Sequence, residues 1–296
     1  MFFGALISAI DFDCLTKCPT RSSHIEKREV DLIGRYFDAS SSSQQGISSI
    51  SRQLKIQVPN FFNSKRQTTV LPVVWNHMDS ISDSQIKGVI ASLNTIYKNN
   101  DIPVSFKLKS ARTIPNSIVS SDDNNKQANL FNQYADKSKM VFNIFSIATG
   151  TSDQNVEGWT LMPMEGSYAD AIFINDNTLN QSNDAIATIL AHESGHWLGL
   201  YHVFEGGCKS GAGDYVRDTP KVDENARTKP DSRGFLKSFD WKCDQQVDTC
   251  TSDSGNDLVS NMMDYTNCKR TFTNDQKYRM MNFVYYRFMG RFPSAS

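Results

Sequence analysis

Three of the chain's five histidines fall in one short run, His192-Glu193-Ser194-Gly195-His196-Trp197-Leu198-Gly199-Leu200-Tyr201-His202. The run fits the zinc pattern HExxHxxGxxH at every fixed position. Residues four apart on a helix share a face, so His192 and His196 can aim imidazole nitrogens at one ion. Gly199 can take a positive φ without steric cost, which ends the helix and lets His202 approach from another direction. Three neutral imidazoles leave one tetrahedral position open, the arrangement of a catalytic rather than a structural zinc. A zinc ion so held lowers the pKa of its water to about 7, and Glu193 stands beside it as the base that takes the proton. A helix that merely buried two satisfied histidines would have no need of Glu193, Gly199 and His202 in step.

Elements must hold these groups in place. The apolar stretch 184–191 reads as a buried helix carrying the first two histidines, with Ser182 or Asn183 as its N-cap. Residues 71–75 read as a short buried strand. Ser82 and Gln85 have the spacing of a capping box opening a second helix, whose apolar stripe Ile86, Val89, Ile90, Leu93 and Tyr97 suits packing on a sheet. Val104, Phe106 and Leu108 alternate as a strand, and segments 140–147, 159–162 and 171–174 bring the expected strand count to about five. Thr273 and Gln276 form a second capping box that starts a final helix. The charged stretch 221–242, with Pro230 and Gly234, reads as a surface loop.

Composition bounds the rest. The chain has 296 residues and a net charge of −1, with both signs interspersed. No basic stripe or nucleic-acid module is present, so neither nucleic acid nor an anionic membrane is an expected partner. No segment approaches 18 unbroken apolar residues, which argues against a membrane anchor. A unit of roughly 230 residues would bury about 70–75 per cent of its unfolded surface, ample for one core. The six cysteines divide into Cys14 and Cys18 near the start and Cys208, Cys243, Cys250 and Cys268 around the motif. None has zinc-finger spacing, and the histidines already supply metal ligands. The later four therefore read as two disulfides of a secreted protein, with three pairings open.

Several further motifs follow the HExxH run in a fixed order: GDYVRDTP over residues 213–220, NMMDYT over 261–266 and FTNDQKYRM over 272–280, with LPVVWNHM and GWTLMP upstream. With these motifs, residues 67–287 resemble the pappalysin branch of the metzincin zinc metalloproteases, which includes ulilysin and fungal extracellular metalloproteases. The resemblance implies an α+β fold. It would have a mixed, mostly parallel five-stranded sheet, a backing helix, an active-site helix, and a loop-rich, disulfide-bonded lower subdomain ending in a helix. It implies zinc on His192, His196 and His202, Glu193 as general base, Met263 as the methionine of a supporting turn, and Tyr265 as a hydrogen-bond donor to the developing oxyanion. It implies the crossed pairing, Cys208 with Cys250 and Cys243 with Cys268. The strand at residues 158–163 would be the sheet edge on which an extended peptide or protein substrate adds as an antiparallel strand. Some relatives bind calcium in a loop of the kind that carries Asp214 and Asp218, though two carboxylates fall well short of a calcium shell. Acidic residues often found after the family tyrosine are absent from Tyr265-Thr266-Asn267-Cys268, so no preference for basic side chains carries over.

The N-terminal segment reads separately. Residues 1–13 suit a signal peptide whose first residues lack the usual Lys or Arg, and residues 14–66, rich in Ser, Gln and Lys, suit a pro-segment ahead of a catalytic domain at 67–296. Cys18-Pro19-Thr20 stands where the family often has Cys-Gly-Thr, so a Cys18 thiolate could fill the fourth zinc position until Lys65-Arg66 is cut. A short Cys14–Cys18 disulfide is the competing reading. Together these features predict a secreted, extracellular zinc endopeptidase made as a latent zymogen. The alternative is a catalytically silent binding or inhibitor protein that keeps the metal for structure, which the presence of Glu193 opposes.

Overall fold

The computed structural model describes residues 68–78, 81–138, 140–149, 156–163, 169–209, 213–228, 241–252 and 254–289. The expected signal peptide and pro-segment, with Cys14, Cys18 and the Lys65-Arg66 pair, lie outside them. In chain order the elements are β1 (Thr69–His77), α1 (Asp83–Asn99), β2 (Val104–Thr113), α2 (Asn124–Tyr134), β3 (Phe142–Ile147), β4 (Gly158–Thr160) and β5 (Ala171–Asn175). A 3-10 turn (Asp176–Asn180) follows, then α3 (Asn183–Trp197), α4 (Glu224–Thr228) and α5 (Asn274–Met289).

The strands form one sheet in the order β2-β1-β3-β5-β4, parallel except for β4, which runs antiparallel to β5 at the edge. The expected mixed, mostly parallel architecture is therefore present. Strand β3 lies at the centre and is buried along its whole length, which is why its sequence FNIFSI shows little polar alternation. Its side chains still divide by the period of two. Phe142 and Ile144 join Leu71, Val73, Trp75, Ile172 and Ile174 in the core that packs on α1 and α3. Phe145 and Ile147 join Ala171, Phe173, Trp159 and Leu130 of α2 on the opposite face. Helix α2 has no apolar stripe to mark it in the sequence, because its face is mostly Asn and Gln and buries only Gln127 and Leu130.

Helix α1 buries the expected stripe Ile86, Val89, Ile90, Leu93 and Tyr97. Each such side chain removed from water contributes about 1.5–3 kcal/mol. Ser82 caps α1 by accepting from the Gln85 N–H, but the Gln85 amide does not close the box. It donates instead to the Leu179 carbonyl at 2.7 Å, tying α1 to the 3-10 turn ahead of α3. The two helices meet closely: a Cβ on Gly88 would collide with the Asn183 side chain, and the Tyr97 hydroxyl bonds Ser194 Oγ at 2.6 Å. At α5 the capping box is complete, with Gln276 N–H on Thr273 Oγ1 and Thr273 N–H on Gln276 Oε1.

Below the sheet, regular structure gives way to turns stapled by two disulfides, Cys208–Cys250 and Cys243–Cys268. The bridges span 42 and 25 residues and interleave, so each constrains the loop closed by the other. Chain-entropy reasoning assigns each about 2–4 kcal/mol. The stretch expected as a surface loop, residues 221–242, departs from that reading. Val222 is buried, and residues Glu224–Thr228 form α4, which turns Arg227 fully inward. Arginine is buried this deeply only when paired, and the carboxylates that pair with it come from residues 30 and 37 positions further along the chain. No helix among the described residues is long and apolar enough to cross a membrane.

Helix α3 ends in a full Schellman turn. Gly199 N–H bonds the His196 carbonyl at 2.8 Å, Leu200 N–H bonds the Gly195 carbonyl at 2.9 Å, and Gly199 has φ +85°. A Cβ there would also strike the Phe283 ring. Gly199→Ala should therefore lower stability by about 1–3 kcal/mol, read as the shift in a denaturant midpoint; an unchanged midpoint would show that the turn tolerates a side chain.

Candidate active site

The site is assembled from α3, the turn after it and the loop 261–266. His192 and His196 lie on one face of α3, and the Gly199 turn returns the chain so that His202 meets them. The Nε2 atom of His202 lies 3.3 Å from Nε2 of His192 and 3.1 Å from Nε2 of His196. On the far side of two rings, Nδ1 of His192 meets the Met262 carbonyl and Nδ1 of His196 meets the Leu200 carbonyl, both at 2.7 Å. A carbonyl only accepts, so these two Nδ1 atoms carry the protons and their Nε2 atoms face the site as bare lone pairs. Nitrogens this close need a proton or a metal cation between them. Tetrahedral zinc with Zn–N bonds of about 2.0–2.1 Å would set its nitrogens about 3.3 Å apart, so the trio fits that ion. Among the described residues it is also the only convergent group of three or more His, Cys, Asp or Glu side chains.

Electrostatics point the same way. Burial drives the His192 and His202 pKa values well below the ordinary imidazole value and brings His196 down to about 4. All three rings are thus neutral at neutral pH, the form that can ligate a metal. Glu193, also buried, is pushed by desolvation up to about 8, with the Lys269 charge opposing and the Glu157 charge adding to the rise. Its Oε2 has no hydrogen-bond partner among the described residues. A dication beside it would reverse the local preference and favour the carboxylate. Gly158 of β4 lies over this side chain: a Cβ on Gly158 would sit 3.3 Å from Glu193 Cγ. Among the described residues the sheet's edge strand therefore lies against the Glu193 side chain.

Met263 is fully buried under α3, where its sulfur occupies the space a Cβ on Gly195 would need. Its backbone holds both ends of the trio. The preceding carbonyl accepts from His192, and its own carbonyl accepts from the N–H of Val203, next to His202. Asn261 shapes this turn by accepting the Met263 N–H at 2.9 Å while exchanging two side-chain hydrogen bonds with Gln276 of α5. Tyr265 packs its ring 4.6 Å from the His202 ring and 4.7 Å from Phe204. Asp214 and Asp218 do not join the trio. Asp214 is buried, with Oδ1 accepting from Val216 N–H and Thr219 Oγ1, and its Oδ2 has no hydrogen-bond partner among the described residues. Asp218 accepts the Asp275 N–H in the first turn of α5.

Sequence reasoning missed the groups that act through backbone or from far along the chain. The carbonyls of Leu200 and Met262 orient two histidines, and a carbonyl leaves no signature in residue type. Arg279 donates to the Gly199 carbonyl at 2.6 Å, and Arg287 donates to the Trp197 carbonyl at 2.7 Å while gripping Asp170 and covering the Trp197 ring. Both answer the unpaired carbonyls at the end of α3, where a cation also opposes the helix dipole. Their only sequence sign was an arginine spacing on α5 that any solvated helix shows.

Residues 123–285 match the peptidase M43 family, described as pregnancy-associated plasma protein-A. An extracellular metalloprotease of Sordaria macrospora is 29% identical over 297 residues, covering 95% of this chain and 90% of that one. A structure of mirolysin in complex with compound 9 superposes with a TM-score of 0.55 at 22% identity, covering 73% of this chain and 91% of that chain. Mature mirolysin of Tannerella forsythia in complex with a cleaved peptide superposes with a TM-score of 0.52 at 21% identity, covering 72% and 90%. The structural likeness establishes the α+β metzincin fold. With a histidine trio suited to zinc inside the matched region, the chain belongs to the peptidase M43 family and is a zinc metalloprotease.

Proposed function

We propose that this chain is a secreted zinc endopeptidase, made as a latent zymogen, in which His192, His196 and His202 hold the metal and Glu193 is the general base. One observation carries the reading: three imidazole nitrogens converge with their protons locked away on the far side of two rings, and the residue that follows the first of them in the chain, Glu193, has a buried carboxylate oxygen with no hydrogen-bond partner among the described residues. A silent binding protein that kept zinc for structure would gain nothing from a buried base beside an open coordination position.

When bound, zinc supplies a Lewis acid that brings the pKa of water to about 7. The chain's residues do the rest. The open edge of β4 pairs with an extended peptide and lays the scissile bond along Glu193. Glu193 takes a proton from water as the water oxygen bonds to the peptide carbonyl carbon, and delivers it to the amine nitrogen as the C–N bond breaks. The Tyr265 phenol donates to the carbonyl oxygen as negative charge grows there. The binding of a cleaved peptide by mirolysin supports a peptide substrate for this chain, and the extracellular relatives support secretion. Met263 supports the ligands by packing and binds nothing. Calcium belongs, in this reading, to the loop of Asp214 and Asp218, where the Asp214 Oδ2 is the oxygen left to coordinate it.

Glu193→Gln should keep one zinc per chain while lowering kcat by about a hundredfold or more. Wild-type enzyme should lose activity to a zinc chelator and regain it when zinc is returned. Undiminished proteolysis by pure, zinc-loaded Glu193→Gln protein would refute the base. For latency, Cys18→Ala in the full-length chain should give activity without processing at Lys65-Arg66; a variant that stays silent until cut would remove Cys18 from that role. Millimolar calcium should raise the melting temperature of the wild type and leave Asp214→Asn unmoved, and equal shifts in both would end the calcium assignment.

A further inference from the structure

Helix α4 sits in a stretch the sequence marks as surface, yet it delivers the most completely buried cation in the lower subdomain. Arg227 and the side chains of Asp257 and Asp264 have no solvent exposure. Arg227 Nε donates to Asp264 Oδ1 at 2.6 Å, and Nη2 donates to Asp257 Oδ2 at 3.0 Å. The guanidinium lies 4.0 Å from the centre of the Trp241 ring. Two acidic side chains share one cation in a dry setting. A buried ion pair of this kind is no better for stability than well-packed apolar residues. What it adds is fixed geometry, and Asp264 lies between Met263 and Tyr265.

We propose that Arg227 is a positioning residue for peptide hydrolysis, acting through Asp264 on Tyr265. The inference rests on the reading of Tyr265 as the oxyanion donor. Asp264 Oδ1 accepts from the Arg227 guanidinium and also from the Tyr265 N–H at 2.7 Å, so one oxygen joins the cation to the tyrosine backbone. Asp257 is the second anchor. It accepts from the Thr249 N–H and hydroxyl, and Thr249 Oγ1 in turn accepts from the Asp223 N–H just ahead of α4. Arg227 therefore cannot swing about Asp264 without breaking the loop that adjoins the Cys208–Cys250 disulfide. The peptide between Asp264 and Tyr265 is held from below, while the His202 and Phe204 rings hold the phenol ring from the side. Lysine would replace the two-pronged fork with a single point charge and could not fix both carboxylates in one orientation.

The test is a double-mutant cycle on the mature, zinc-loaded enzyme, with Arg227→Lys, Tyr265→Phe and the pair, reading kcat and KM together with zinc content and melting temperature. Arg227→Lys should lower kcat about tenfold, since displacing an aligned group by about 1 Å can cost up to a hundredfold. KM should stay within about twofold and one zinc should remain per chain. In the Tyr265→Phe background the same change should alter kcat by less than about twofold. An equal loss in both backgrounds, or no loss in the wild type, overturns the proposal. Tyr265→Phe protein as active as the wild type overturns it together with the oxyanion reading, leaving Glu193 and the histidines untouched. Should Arg227→Lys fail to fold, Asp264→Asn keeps an acceptor for the Tyr265 N–H while removing the charge. It should show the same kcat loss, absent again beside Tyr265→Phe; additivity there overturns the proposal.

Discussion

Two backbone carbonyls, those of Met262 and Leu200, decide which nitrogen of His192 and His196 faces the site. An imidazole has two near-equivalent nitrogens, and only a fixed partner on one makes the other a dependable lone pair. The rest of the lower subdomain follows from keeping these carbonyls in place. Leu200 belongs to the turn that ends α3, and Met262 belongs to the loop 261–266, so neither can drift without turning a histidine away from its neighbours. The network joining Asn261 to Gln276 and the packing of the Met263 sulfur beneath Gly195 fix that loop against α5 and α3.

The site is buried polar chemistry in an apolar shell, and burial has opposite consequences for its members. It keeps the imidazoles neutral, which suits ligation, and it raises the Glu193 carboxyl to about 8, which without a cation would leave it protonated. A cation on the histidine trio would in turn favour the ionised form of Glu193. Lys269, whose charge reaches Glu193, His192 and His202, moderates the same balance from the loop stapled by Cys243–Cys268.

Stability and chemistry meet at the end of α3. The turn that aims His202 leaves carbonyls without helical partners, and Arg279 and Arg287 from α5 supply the donors. The last helix is thus part of the catalytic frame although it contributes no group to the site. Arg227 does the corresponding service for the loop that follows Met263. Two buried arginines of α5 thus steady a motif that occupies one short run, and a third holds the loop beside it.

The sequence by itself determined what is local. The spacing of the three histidines, the glutamate next to the first of them, the glycine with positive φ, the caps at Ser182 and Thr273 and the stripe on α1 each express a rule that acts within about one or two helical turns. The strands were legible for the same reason, and the motif order carried the crossed disulfide pairing by resemblance. The half-open box at Gln85, the weakly patterned α2 and the inward turn of Arg227 were not legible, because each is decided by a partner many positions away. Gln85 answers to Leu179, and Arg227 answers to Asp257 and Asp264. Only the tertiary structure could choose these partners, since a buried polar group must bond to whatever the fold brings within reach, and no local pattern encodes that neighbour.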